Sequence, residues 1–200
     1  MLILWFERFG KFQMIISVIG SGGKTTYIHK LKDKYVFLNK TVLMCTTTHM
    51  LIEEDTLIDP SYDEIIHRIE TYGYCHAGNR CDEFKIEGLD SELLKQLKQV
   101  VDVILIEADG SKHLPLKFPN VNEPVVDPDS DEVVLISNLN GLNKPVKEVV
   151  HRYELTNLDP NELVTPKIMQ DLIRVYLKKL NKPFKIHVNG DMDLYTRCLK

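Results

Sequence analysis

Cysteine is scarce in this sequence: four residues in 200, at positions 45, 75, 81 and 198, with no Cys-x-x-Cys pair. That usage argues against a disulfide-stapled scaffold and suits a reducing compartment. Long apolar runs are also missing, and none approaches the length of a membrane span. The apolar opening Met1-Leu2-Ile3-Leu4-Trp5-Phe6 stops at Glu7-Arg8 and lacks a charged leader and a small-residue cleavage site. It does not read as a signal peptide, so a cytoplasmic location with no membrane partner is expected. There is no basic excess either. Twenty-five Lys and Arg against 29 Asp and Glu leave a formal charge of -4, which speaks against a nucleic-acid partner. Internal repeats and low-complexity segments are absent. The single tryptophan, Trp5, reads as a packing residue.

What is present is ordinary globular composition, 44% hydrophobic and 27% charged, enough for a sizeable core in a single domain over 1–200. Residues 1–12 read as a short amphipathic helix. Met14-Ile15-Ile16-Ser17-Val18-Ile19 is an apolar, β-rich run that ends at Gly20, the pattern of a buried parallel strand. After Lys24 the apolar positions Tyr27, Ile28, Leu31, Tyr35 and Leu38 have helical spacing, with a stop at Asn39-Lys40. Further strands are expected at Val42–Cys45, Val103–Ile106, Val133–Ile136 and Phe184–Val188. Ser61 with Glu64 forms a capping box for a helix to about Thr71. Ser91 to Val100 reads as a helix, and Thr165-Pro166 opens another that runs to about Leu177. Strands alternating with helices predict an α/β fold: a three-layer arrangement with a mostly parallel sheet covered by helices on both faces. The stretch 110–131, with four prolines and little periodicity, is expected to be a long functional loop.

The chemistry concentrates at two strand ends. Gly20-Ser21-Gly22-Gly23-Lys24-Thr25-Thr26 lies between a strand and a helix. There, glycines turn backbone N–H groups toward phosphate oxygens and the helix adds its positive dipole end. On this reading Lys24 reaches the β and γ phosphates and the Thr25 hydroxyl holds Mg²⁺. The usual first glycine of a Walker A loop falls at Val18, and Ile19 excludes the subclass with a second signature lysine there. The second end is Glu107-Ala108-Asp109-Gly110, carboxylates closing an apolar strand. In parallel sheets ligands sit beyond such ends. One carboxylate would hold the metal, which assigns Glu107 as its ligand, and the other, Asp109, would orient the attacking water. Residues two apart on a strand share a face, so both are expected at one site. Thr46-Thr47-Thr48-His49 follows another strand. Its hydroxyls, Thr48 above all, are expected to contact phosphate or the metal's water shell, or else to bond their own backbone. Lys112, His113 and Lys117 offer cations to phosphate or to an acidic partner. Cys75, His76 and Cys81 are placed in one loop, where they would offer a soft-metal or chalcogen site or serve ordinary packing roles.

Taken in order, Ser17 to Thr26, Thr46-Thr47-Thr48-His49, Glu107-Ala108-Asp109-Gly110-Ser111-Lys112 with Leu114-Pro115-Leu116-Lys117, Glu123-Pro124-Val125 and His151-Arg152 carry a resemblance over roughly residues 15–190. The chain resembles the YqeC-like accessory proteins of selenium-dependent molybdenum hydroxylases. The resemblance implies a P-loop NTPase that uses ATP or GTP with Mg²⁺. Its partner would be a client molybdenum hydroxylase or the protein that loads its cofactor, and a homodimer stays open. It also implies that Lys112 and Glu123 line the site. Family members often carry Asn-Lys-x-Asp near the last strand. Here His187-Val188-Asn189-Gly190-Asp191 lacks that lysine and aspartate, so the base preference stays open. A C-terminal helix usual in the family is expected to be missing. Two other functions remain in play: an ATP-dependent small-molecule kinase or ligase-type transferase, and a nucleotide-sensing module without turnover.

Overall fold

The computed structural model describes residues 13–110 and 112–190. The expected N-terminal helix, Trp5, Ser111, Cys198 and the end of the chain lie outside them. In chain order the elements are β1 Met14–Gly20, α1 Lys24–Phe37, β2 Val42–Thr46, β3 Met50–Leu51, β4 Thr56–Ile58, α2 Tyr62–Tyr72, β5 Tyr74–Arg80, β6 Lys85–Glu87, α3 Ser91–Leu97, β7 Val103–Glu107, β8 Leu116–Lys117, β9 Glu132–Asn138, α4 Val146–Val149, β10 Val150–His151, α5 Pro166–Lys179 and β11 Lys185–Asn189.

The main sheet runs β11-β9-β1-β7-β2-β5-β6-β3, with β4 also paired to β5. From β11 to β5 all pairings are parallel, and antiparallel pairing enters only at the β5-β6-β3 edge. Alternation along each strand sorts the apolar runs onto two faces. Ile16, Val18, Met44, Leu105 and Val134 pack with Ile28 and Tyr35 of α1. Ile15, Ile19, Leu43, Ile104 and Leu135 pack with Ile65 and Ile69 of α2, Leu97 of α3 and Tyr176 of α5. Both faces are covered, which is why these strands read as unbroken apolar runs. Each fully buried aliphatic side chain contributes about 1.5–3 kcal/mol relative to exposure.

The helix ends differ in a way that matters for the site. Ser61 and Glu64 form the expected capping box on α2, and Thr165 caps α5 ahead of Pro166. Helix α1 begins at Gly23, with no side chain capping its first turn.

Two expectations change, one about a strand and one about a helix end. Tyr74–Arg80 is a strand, largely buried, rather than a loop. Tyr-Cys-His-Ala-Gly-Asn-Arg has no apolar alternation, so only its position between β2 and β6 makes it extended. Cys75 and His76 are adjacent on that strand and so point to opposite faces. Cys75 joins the core, where burial pushes its thiol up to about 12, and Cys81 is exposed. The three do not form a common site. The stretch 110–131 carries one short strand among irregular segments. Its β8 pairs in parallel with β10, and Leu116 joins Leu139, Val146, Val150, Val164 and Leu172 in a third apolar cluster. The helix expected to Val100 ends at Leu97.

Candidate nucleotide-binding site

The carboxyl ends of β1, β7, β2, β9 and β11 meet on one side of the sheet. Register places Val18 beside Glu107 and Thr46 also beside Glu107, so the glycine-rich loop and the acidic strand end are direct neighbours. The loop is held from behind. Gly20 donates its N–H to Asp109 Oδ2 at 3.1 Å, and Ser21 donates its N–H to the Ile136 carbonyl at 3.0 Å. The buried Ser21 hydroxyl donates to the Leu114 carbonyl. The Gly22 carbonyl accepts from Asn138 at 2.9 Å and from Asn189 at 3.1 Å. Gly20 has φ +87°, and a Cβ there would lie 2.2 Å from the Ile136 oxygen. A side chain at this position is excluded on both counts.

In front of the loop opens a cleft of about 1260 Å³, lined by Gly22, Gly23, Lys24, Thr25, Thr26 and Glu107 on one wall. Lys24 is only 4% exposed. Its Nζ donates to the Gly20 carbonyl at 3.1 Å and lies 3.6 Å from Glu107 Oε1. The Thr25 hydroxyl donates to Glu107 Oε2 at 3.1 Å. A hydroxyl and a carboxylate converge beside an uncapped helix start, and hard oxygen donors of this kind fit Mg²⁺. Lys112, His113, Lys144, His151 and Arg152 also line the cleft.

Asp109 is not where the sequence placed it. Strand β7 ends at Glu107, so the two-residue repeat does not extend to Asp109. The chain turns, and the Asp109 carboxylate passes beneath the loop, fully buried. It accepts from Gly20, from the Tyr176 hydroxyl at 2.9 Å and from Lys117. Its oxygens accept hydrogen bonds from the protein, and it does not line the cleft. Burial pushes its carboxyl up from the ordinary range, against the pull of Lys117 and Lys24. Thr48 does not line the cleft either. The Thr46 hydroxyl donates to the Glu107 carbonyl at 2.8 Å and accepts from the Thr48 N–H at 3.0 Å, and the Thr47 hydroxyl donates to the Val125 carbonyl at 2.6 Å. The run bonds its own backbone surroundings, and from it only His49 lines the cleft.

Lys117 proves to be a buried cation for acidic partners. It bridges Asp109 and Glu123, the latter at 2.7 Å, and Arg152 closes the series with a two-pronged contact to Glu123. This explains the His151-Arg152 pair. His151 pairs with Lys117 across β10 and β8, and burial, reinforced by Arg152, Lys117 and Lys112, pushes its imidazole down to about 4. Burial works to raise the Glu123 carboxyl, but Arg152 and Lys117 overcome it and hold it at about 2. Hydrogen bonds from His76 and His29 likewise hold Glu53 at about 2. Both carboxyls lie below their ordinary 4.5. Their stabilisation is therefore present in full above about pH 4.5 and is lost as pH falls toward 2. Thermal unfolding followed across that window should show the loss, and Arg152→Ala should flatten it; an unchanged acid limb in the variant counts against the clamp.

The tethering residues Tyr176 and Asn138 escaped sequence reading. Asn138, a polar residue closing an apolar strand, carried a usable signal. Tyr176 looked like any inward helix residue. Asn189, considered for base reading, instead holds the Gly22 carbonyl.

The fold and site together define an α/β protein with a mostly parallel sheet and a glycine-rich loop, lysine, threonine and carboxylate gathered at its strand ends. A family model described as YqeC protein matches residues 16–154, and the chain belongs to the YqeC family. It is 31% identical over 172 residues to the uncharacterized protein YqeC of Escherichia coli strain K12, covering 80% of this chain and 67% of the relative. No solved structure matches it. Among the described residues, no helix is long and apolar enough to cross a membrane.

Proposed function

We propose that this protein binds a nucleoside triphosphate, ATP or GTP, with Mg²⁺ in the cleft beside Lys24 and hydrolyses it in the cytoplasm. Turnover would serve the maturation of a selenium-dependent molybdenum hydroxylase, through that client or its cofactor-loading protein. The observation that carries the reading is the convergence of Lys24, Thr25 and Glu107 at the uncapped start of α1. The N–H groups of Gly22 to Thr26 and the helix dipole attract the phosphates. Lys24, already neutralising Glu107, exchanges part of that pairing for phosphate oxygens. Thr25 and Glu107 would hold the Mg²⁺, which supplies charge neutralisation as the phosphoryl group leaves. Asp109 acts one step removed, by fixing Gly20 and hence the loop.

Glu107→Gln is expected to keep nucleotide binding and lose Mg²⁺-dependent turnover. Phosphate-release assays with and without Mg²⁺ test this, and wild-type turnover in the variant would remove Glu107 from the mechanism. Adding the client hydroxylase to the same assay separates a client-stimulated NTPase from a nucleotide sensor, which would release no phosphate.

One observation favours a second reading. The cleft exceeds the roughly 300–1,000 Å³ of ordinary small-ligand pockets, and Lys112, His113 and Lys144 also line it. A second, anionic small molecule fits there, which would make the reaction a phosphoryl transfer. Product analysis with candidate acceptors separates the two, since transfer yields a phosphorylated acceptor and hydrolysis yields free phosphate.

A further inference from the structure

Around Glu53, which lines the same cleft, lies a polar cluster that the triphosphate reading does not use. It is built from the segment between β3 and β4, the start of β5 and the second turn of α1. Ligand atoms of Glu53, Asp55 and His76 lie within 4.8 Å of one another. His29, one turn beyond Thr25 on α1, places its Nε2 at 3.0 and 3.2 Å from the two Glu53 oxygens. His76 Nδ1 faces Glu53 Oε2 at 3.3 Å and the Thr56 hydroxyl at 3.0 Å. Asp55 Oδ2 accepts from the Tyr74 hydroxyl at 2.8 Å, which fixes that carboxylate as an outer partner fixes a ligand.

His76 supplies the second, independent observation. It is 1% exposed, and its Nε2 has no hydrogen-bond partner among the described residues. A strand in the middle of a sheet favours an apolar residue at such a position, and a buried polar group without a partner costs free energy and calls for an explanation. A plain ion-pair network accounts for Glu53 with His29, both half-exposed, but gives no reason for a buried imidazole brought to the carboxylates. A metal site does: Nδ1, the nitrogen that faces Glu53, is the donor atom, and burial holds the ring in one rotamer; Nε2, on the other side of the ring, is not satisfied by the ion.

We propose that Glu53, Asp55 and His76, with His29 of α1 bonded to Glu53, bind a divalent transition-metal ion at the cleft's edge. Mixed imidazole and carboxylate donors suit zinc, cobalt or a similar borderline ion. They are the wrong set for Mg²⁺, which takes oxygen and fits Thr25 and Glu107 instead. Glu53 lines the cleft, so the ion would tie the chain between β3 and α2 to α1 and stand within reach of a bound substrate. No nucleotide is involved, so this site stands or falls separately from the proposed NTPase activity.

The test uses the untagged full chain in excess Mg²⁺, with Co(II) and Zn(II) as probes. A single saturable Co(II) site with visible ligand-field bands is expected, displaced by Zn(II). Zn(II) at a hundredfold excess over its Kd should raise the unfolding midpoint by roughly 5–10 °C. His76→Gln and Glu53→Gln should each weaken binding by about 10–100-fold or more. Glu53 is half-exposed, so its variant tests the site without disturbing the core. Lys24→Ala should leave metal binding unchanged. Absence of saturable binding below millimolar metal overturns the proposal, and so does affinity unchanged in Glu53→Gln.

Discussion

Lys24→Ala is expected to weaken Mg²⁺-triphosphate binding by roughly 100-fold, about 3 kcal/mol, read by calorimetry. The size follows from the position. Lys24 is 4% exposed and points back along the loop at Gly20 and Glu107. A cation held this way is oriented before ligand arrives, so little side-chain entropy is lost on binding. The substitution removes an attraction for phosphate and also leaves the Glu107 carboxylate without a neighbouring positive charge, which repels the incoming anion. Both effects act in the same direction. Lys24→Arg would keep the charge but place a planar fork where a compact ammonium fits, so it should rescue only part of the affinity. Unchanged affinity in Lys24→Ala would remove the triphosphate site from this cleft.

The second large effect is on stability. Asp109→Ala should destabilise the fold by about 3–5 kcal/mol, the usual cost of removing one partner of a buried ion pair. For a chain of this size that is roughly 10 °C or more in the unfolding midpoint. The Gly20 N–H and the Tyr176 hydroxyl lose their acceptor, and the Lys117 ammonium loses one of its two carboxylates. Asp109→Asn keeps an oxygen for Gly20 and Tyr176, which share Oδ2, but turns the amide's N–H groups toward the Lys117 ammonium, so it should fall between wild type and alanine. This separates two roles. A residue that oriented the attacking water would lose turnover in Asp109→Asn with an unchanged midpoint. A residue that anchors the loop lowers the midpoint first, and nucleotide affinity falls with it because Gly20 is released. Thermal unfolding and calorimetry on the same samples decide between them.

The parts of the site legible in advance share a feature: each is a local pattern. Gly20 to Thr26 between a strand and a helix, the carboxylate closing an apolar strand, and the caps at Ser61 and Thr165 all declare themselves within a few residues. The parts that were not legible depend on distant pairings. Asp109 meets Tyr176 across 67 positions, and Asn189 meets Gly22 across 167. His76 was misplaced for the same reason, since a strand without apolar alternation is made extended by its neighbours alone.

From the sequence alone came the layered α/β architecture, because buried parallel strands and amphipathic helices leave periodic traces in their residues. The glycine-rich loop and Glu107 were identified at the same stage, because their chemistry is local. Tertiary structure decided which carboxylate faces the cleft and which lies beneath the loop, that Lys117 serves Asp109 and Glu123 rather than a ligand, and that His29, Glu53 and His76 meet. Those outcomes turn on where a strand ends and which segments the sheet order makes neighbours, and no run of adjacent residues encodes either.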